Sequence, residues 1–392
     1  MRILHTADWH LGHTLRDHAR TAEHAHFLDW LVDTIVERRV DALLIAGDVF
    51  DGANPPPSVW RQWFRFLGAL KRASPKVQVV VIAGNHDSAA RLEAPRELLQ
   101  AVDVRVVGRL ERDAEGRLVT DDLLVPLCGP DGEVEALCVA IPFLRASDVL
   151  ALAPRRAGPD GAGGGGYVLP RPFEPRHAEP RSAEPRPDGS RSDGSRSDPD
   201  GGGPAPDRDG PGDAHDPDPL IAGMRALHEE LFAAARARRA PGQALVAMAH
   251  GYLVGGALSE LSERKVLGGN QHALPVDLFP PDCAYVALGH LHRPQALAGL
   301  ERVRYSGSPL PLSMPERLHA HHVVFCDLDG EGVEKIWSLR TPRPVQLVRL
   351  PERGALSPDE ALAAVAALPP RDDATPVERL PLVEVAVELP EP

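Results

Sequence analysis

The sequence predicts an α/β fold with a parallel sheet. Two features carry that expectation: apolar runs of strand length alternate with segments of helical periodicity, and several of the runs stop at a small residue followed by a cluster of polar side chains. Alternation of this kind builds βαβ units, and βαβ units build parallel sheets.

The elements follow in order. "RILHTAD" (2–8) is a first strand and leads to a helix around 20–38. "DALLIAGD" (41–48) precedes a helix around 57–72, and "VQVVVIAGNHD" (77–87) precedes one around 90–101. Further on, a helix around 219–239 leads to the strands "QALVAMAHG" (243–251) and "CAYVALGHLH" (283–292). Shorter strands at 302–306, 321–328 and 333–340, joined by turns such as "DLDGEG", predict antiparallel pairing. From about 342 the pattern becomes strand, helix (358–368), strand, which marks 341–392 as a small separate domain after a main domain at 1–340.

At 392 residues, 43% hydrophobic and 25% charged, the chain can bury one large core and a smaller one. No apolar run approaches the roughly 20 residues that cross a bilayer, so no membrane association is expected. The opening "MRILHTADWH" reaches Asp8 and His10 too soon for a signal peptide, which makes the cytoplasm the expected location. Cys128, Cys138, Cys283 and Cys326 lie scattered without a CxxC, so they suit packed thiols better than a zinc knuckle or a disulfide framework. A net charge of −13 disfavours coating nucleic acid by bulk electrostatics and leaves local DNA binding open. Residues 155–219 are dominated by Gly, Pro, Arg, Asp and Ser, with "EPR" repeated, and read as a disordered insertion with too little apolar surface to fold. No Walker A pattern occurs, so this chain is not expected to hydrolyse ATP.

The chemistry lies where the apolar runs end. Five of them deliver Asp8 and His10, then Asp48, then Asn85 and His86, then His250, and last His290 and His292. Residues at the carboxyl ends of parallel strands share one crevice, so these converge even though they are far apart in sequence. Carboxylates, imidazoles and an amide oxygen without thiolate suit manganese, iron or zinc rather than a Cys-rich structural zinc site.

In this order "DWH" (8–10), "GDVFD" (47–51), "GNHD" (84–87), "AHG" (249–251) and "GHLH" (289–292) resemble the calcineurin-like metallophosphoesterase superfamily. "HTADWHLGHTL", "AGDVFDGANPPP", "HGYLVGGALSELSER" and "VALGHLHRPQ…RYSGSPLPLS" narrow the resemblance to its double-strand-break repair nucleases, the SbcD branch. The likeness covers 1 to about 150 and 240 to about 345. It implies a β-sandwich flanked by helices with a small C-terminal α+β capping domain, which reads as incomplete at Pro392. It also implies two divalent ions, manganese by preference. Asp8, His10 and His292 would hold one, Asn85, His250 and His290 the other, with Asp48 between them.

A shared carboxylate offsets the repulsion of two cations about 3.5 to 4 Å apart. His86 would stabilise charge on the phosphate or protonate the leaving oxygen. Asp87 would either accept from the second His86 nitrogen or cap the following helix.

Weaker candidates surround this set. His5 suits a core position, Asp51 a bond to the site or a turn, and His13 the substrate side or a solvated loop. "YSGSP" (305–309) offers phosphate contacts or a tight turn, whereas His319, His321 and His322 lack support from other strand ends. In "SVWRQWFRFLGAL" (58–70), Val59, Trp60, Trp63, Phe64 and Leu67 share a helical face. That face suits either a core or the pairing of two nuclease subunits, for which the resemblance implies a homodimer, and a charged residue at position 63 is the test it suggests. The resemblance further implies DNA as substrate, exonuclease and endonuclease action, and an SbcC-like coiled-coil ATPase as partner in a heterotetramer serving DNA recombination, replication and repair. The alternatives are action on another phosphate ester, such as a cyclic nucleotide or phosphoprotein, and a non-catalytic scaffold of the same fold.

Overall fold

The structure, a computed structural model, describes residues 1–150, 219–258 and 273–389. In chain order β1 (Arg2–Thr6), the short pair β2 (Thr14–Leu15) and β3 (His18–Ala19), α1 (Thr21–Arg38), β4 (Ala42–Ala46), α2 (Pro57–Ala73) and β5 (Gln78–Ile82) come first. Next are α3 (Ala89–Glu93), α4 (Arg96–Gln100), β6 (Val104–Val107), β7 (Leu124–Cys128), β8 (Val134–Ile141) and α5 (Ala146–Leu150). α6 (Pro219–Arg238), β9 (Ala244–His250), β10 (Tyr285–Gly289), β11 (Gln295–Leu297) and β12 (Leu300–Tyr305) follow. Then come β13 (His322–Asp329), β14 (Gly332–Arg340), β15 (Leu347–Leu350), α7 (Pro358–Ala366) and β16 (Leu382–Val385).

Two six-stranded sheets carry the fold, in the orders β14-β13-β1-β4-β5-β6 and β11-β12-β10-β9-β8-β7. In the first, β1, β4, β5 and β6 run parallel and β13 joins β1 antiparallel. In the second, β8, β9, β10 and β12 run parallel. Successive side chains of the first sheet serve two cores, as a period of two requires. Ile3, Leu44, Val80 and Ile82 face a core shared with Val139, Val246 and Leu288 of the second sheet. Leu4, Leu43, Ile45, Val79 and Val81 face a second core with Phe27 and Leu31 of α1 and Trp63 and Leu70 of α2. Burial on both faces explains why these runs carry no polar alternation.

The expected β-sandwich flanked by helices is therefore present. Several details differ from the sequence reading. The helix expected over 90–101 is two short ones separated at Pro95, whose ring removes an amide hydrogen and blocks a continuous ladder. β12 pairs parallel with β10, because β11 folds back on its outer edge and takes the antiparallel partnership. β6, β7 and β8 are strands that the apolar pattern did not mark out. The residues from 342 form a two-stranded parallel sheet, β15 with β16, connected through α7. α7 begins with a capping box between Ser357 and Glu360. The insertion read at 155–219 lies, apart from its last residue, outside the described residues, as do residues 259–264 of the "HGYLVGGALSELSER" stretch. Among the described residues no helix is long and apolar enough to cross a membrane.

Candidate metal centre

The carboxyl ends of β1, β4 and β5 in one sheet and of β9 and β10 in the other meet at a single place. Three backbone bonds tie the loops of the first sheet together: Asp8 N–H to Gly47 O at 3.0 Å, His10 N–H to Asp48 O at 3.0 Å and Leu11 N–H to Val49 O at 2.9 Å. The two sheets touch through small residues. A Cβ on Gly289 would collide with the Ala46 carbonyl across the sheets, and within the first sheet one on Gly84 would collide with the Asp48 carboxylate, so only glycine allows either approach. Asp8, His10, Asp48 and His290 all have positive φ, at 54°, 46°, 49° and 107°. Non-glycine residues there cost on the order of 1–3 kcal/mol each, and such strain concentrates where side chains must be aimed.

The polar contacts connect all five segments. His290 N–H donates to the Asp8 carboxylate at 2.9 and 3.1 Å. Asn85 Oδ1 lies 3.0 Å from His250 Nε2 and 2.9 Å from His290 Nδ1. Asp48 Oδ1 accepts from His86 N–H at 2.8 Å, while its Oδ2 lies 3.6 Å from His10 Nε2 and 3.5 Å from His250 Nε2. Single ligand atoms of Asp8, His10 and His292, and likewise of Asp8, Asp48 and His250, lie within 4.8 Å of one another. Asp8, Asp48, Asn85 and His290, expected from different strands, thus point into one region.

These groups fit divalent cations. His10 Nε2 is buried with no hydrogen-bond partner. His250 Nδ1 donates to Ala46 O at 2.8 Å, so in the neutral ring Nε2 is a lone pair facing the Asn85 oxygen. Two acceptors face to face are unfavourable unless a proton or a metal ion supplies positive charge. The electrostatics agree. Burial alone lowers the His250 pKa, yet Asp48 and Asp8 beside it raise the value to about 9. Burial likewise opposes ionisation of Asp48, but His250, His10 and His86 hold its carboxyl well below the usual range. Burial pushes the Asp8 carboxyl up, and burial with the neighbouring His250 lowers His290 to about 3.

His86 Nδ1 donates to Asp51 O at 2.9 Å, and its ring meets that of His10 edge-on, with centroids 4.7 Å apart. The expected bond from Asp87 to His86 is replaced by another arrangement. Asp87 accepts from Gly84 N–H at 2.9 Å, Phe50 N–H at 3.0 Å and Val49 N–H at 3.2 Å. Nor does it cap the next helix, whose N-cap is Ser88. Asp87 braces two loops because its two oxygens face three backbone donors, and the orienting group for His86 is a backbone carbonyl. Burial, reinforced by the Asp48 charge, raises its pKa to about 6.

Asp51 accepts from His10 Nδ1 at 3.2 Å, and His5 is a core residue bonded to the Tyr285 hydroxyl at 2.9 Å. Ser306 and Ser308 of "YSGSP" are buried, and Ser308 N–H donates to His292 O at 3.1 Å, which is turn chemistry. His13 is half-buried, with N–H donating to His10 O at 2.9 Å. Sequence reasoning missed Glu316, which accepts from His292 Nδ1 at 3.0 Å. It comes from a 3-10 turn without a run or motif to flag it.

Fold and site together define a calcineurin-like phosphoesterase, and residues 1–130 match that family. The chain is 39% identical over 373 residues to the SbcD component of the nuclease SbcCD from Rhodobacter capsulatus, covering 95% of this chain and 77% of that protein. It is 31% identical over 340 residues to the SbcD protein of Escherichia coli K12, covering 86% of this chain and 68% of the relative. Against its counterpart in Bacillus subtilis it is 30% identical over 338 residues, with the same coverage of 86% and 68%. The chain belongs to the SbcD family, the nuclease subunits of SbcCD.

Proposed function

We propose that this chain is the metal-dependent nuclease subunit of an SbcCD-type complex, hydrolysing DNA phosphodiester bonds as exonuclease and endonuclease at double-strand ends and hairpins. One observation carries the reading: side chains from the ends of five strands in two sheets converge on one buried cluster of carboxylates, imidazoles and an amide oxygen. In this reading Asp8, His10 and His292 hold one ion, Asn85, His250 and His290 the other, and Asp48 is shared. Manganese is the proposed metal, because the donor set is hard to borderline with no thiolate. When bound, such a pair supplies Lewis acidity that activates water and neutralises charge on the phosphate.

The chain's own residues then have distinct tasks. His86 keeps Nδ1–H on the Asp51 carbonyl, so the proton that would stabilise or protonate the leaving oxygen is a second one, carried on Nε2 of the imidazolium form. Asp87 holds the Asp48 and Asn85 loops at a fixed separation through the backbone of Val49, Phe50 and Gly84.

The partner in this proposal is an SbcC-like coiled-coil ATPase, which supplies ATP hydrolysis and much of the basic DNA-binding surface, consistent with the −13 net charge here. The setting is DNA recombination, replication and repair. Residues 1–340 would form the nuclease domain and 341–392 a capping domain. Four free cysteines fit the cytoplasm. Pairing of two nuclease subunits through α2 would use Trp60 and Phe64, which stack at 5.7 Å, rather than Trp63.

The deciding experiment assays hairpin DNA and a small phosphodiester side by side in manganese, for wild type and His86→Ala, with and without the ATPase. Cleavage of the hairpin that falls about 10²- to 10⁴-fold in His86→Ala is the expected result. Turnover of the small ester alone would replace this reading with that of another phosphoesterase.

A further inference from the structure

His292 reaches the centre from the loop after β10, beyond the support of its own strand. A closed circuit of short polar contacts surrounds its ring and its backbone. His292 Nδ1 lies 3.0 Å from Glu316 Oε1, and Glu316 is 0% exposed. The second carboxylate oxygen accepts from Leu312 N–H at 2.7 Å. The Glu316 carbonyl lies 3.0 Å from His321 Nε2, His321 Nδ1 lies 2.7 Å from Ser308 O, and Ser308 N–H returns to His292 O at 3.1 Å.

We propose that Glu316 is the positioning residue for His292: its carboxylate holds Nδ1–H of the ring, and so turns Nε2 to a divalent cation. The inference rests on His292 being a ligand, as in the proposed function. Two N–H donors, one from His292 and one from Leu312, face the two Glu316 oxygens, and a carboxylate accepts from both. Glutamine has the same shape but one acceptor. If its NH₂ faces His292, Nδ1 becomes the acceptor and the hydrogen moves to Nε2, where it blocks a metal. If it faces Leu312, two donors oppose each other in a buried place. A carboxylate hydrogen-bonded to the far nitrogen also makes an imidazole a stronger donor to metal.

The test is calorimetric titration of the full chain with Mn²⁺, comparing wild type, Glu316→Gln and His292→Ala. The expected result is that His292→Ala loses one site and that Glu316→Gln weakens the same site about 10- to 100-fold, leaving the other unchanged. Wild-type affinity at both sites in Glu316→Gln, alongside loss in His292→Ala, overturns the proposal. Two intact sites in His292→Ala overturn the ligand assignment beneath it. Long-range ¹H–¹⁵N spectra of ¹⁵N-histidine-labelled, metal-free wild type give an answer that no folding defect in a variant can disturb. Hydrogen on Nδ1 of His292 is expected, and a ring with hydrogen on Nε2 and none on Nδ1 overturns the proposal.

Discussion

Asp87 is the third of four consecutive polar residues beyond the end of β5, yet its oxygens go to amides rather than to chemistry. It joins Gly84 on its own loop to Val49 and Phe50 on the neighbouring one, and so sets the distance between Asn85 and Asp48. Asp87→Asn keeps the volume but offers one acceptor to three donors. We expect it to lower stability by about 1–3 kcal/mol in urea titration, the cost of unpaired buried amides. A change under about 0.5 kcal/mol would mean that those amides have other partners. At this scale the sequence was legible wherever a side chain follows an apolar run and a glycine, as Asp48, Asn85 and His290 do. It was silent on bonds made to the backbone: the Asp51 carbonyl that orients His86 could belong to any residue type. Glu316 was hidden for a related reason, since a buried glutamate in a 3-10 turn looks like a surface residue until its partners are known.

α2 shows how an element can carry two messages on adjacent positions. Trp63 is 1% exposed and packs edge-on against Trp9 at 5.8 Å, behind the strand end that bears His10. Phe64, the next residue, is 42% exposed. A charged residue at 63 therefore tests the core and not subunit pairing. Trp63→Ala is expected to cost about 3–5 kcal/mol by denaturant unfolding. Phe64→Glu is expected to change stability by less than about 0.5 kcal/mol. If two copies pair through this face, Phe64→Glu halves the sedimenting mass, whereas an unchanged mass removes the pairing site. Periodicity alone shows that a helix has an apolar face, and which of two neighbouring aromatics lies inside is set by the sheet beneath. Strand existence was legible for β1, β4, β5, β9 and β10, whose runs are buried on both faces. It was not for β7, interrupted by Pro126, an exposed residue of a strand at the sheet's edge.

Across the whole molecule, burial of neutral histidines should govern acid stability. Burial lowers the pKa of His5 and His24 to about 3 and of His228 to about 4, all well away from an ordinary 6.5. A depressed folded pKa means that the unfolded chain binds more protons, so this stability is complete above pH 6.5 and lost as pH falls towards 4 and 3. Each contributes a slope of roughly 1.4 kcal/mol per pH unit in that window. Urea midpoints at pH 7, 6 and 5 should fall progressively, and a flat profile would mean that the rings stay neutral in the unfolded chain too or find partners on protonation. The same wide view bears on the seam where Gly289 meets Ala46 and His250 meets Asn85. In the proposed assignment each ion takes donors from both sheets, so a bound pair would act as a rivet through both. Ligand present at a hundred times its dissociation constant is worth about 2.7 kcal/mol to the folded state. Chelation should then open the seam between the layers first, and hydrogen exchange at β4 and β9 would accelerate together while β14, on the far edge, keeps its rate.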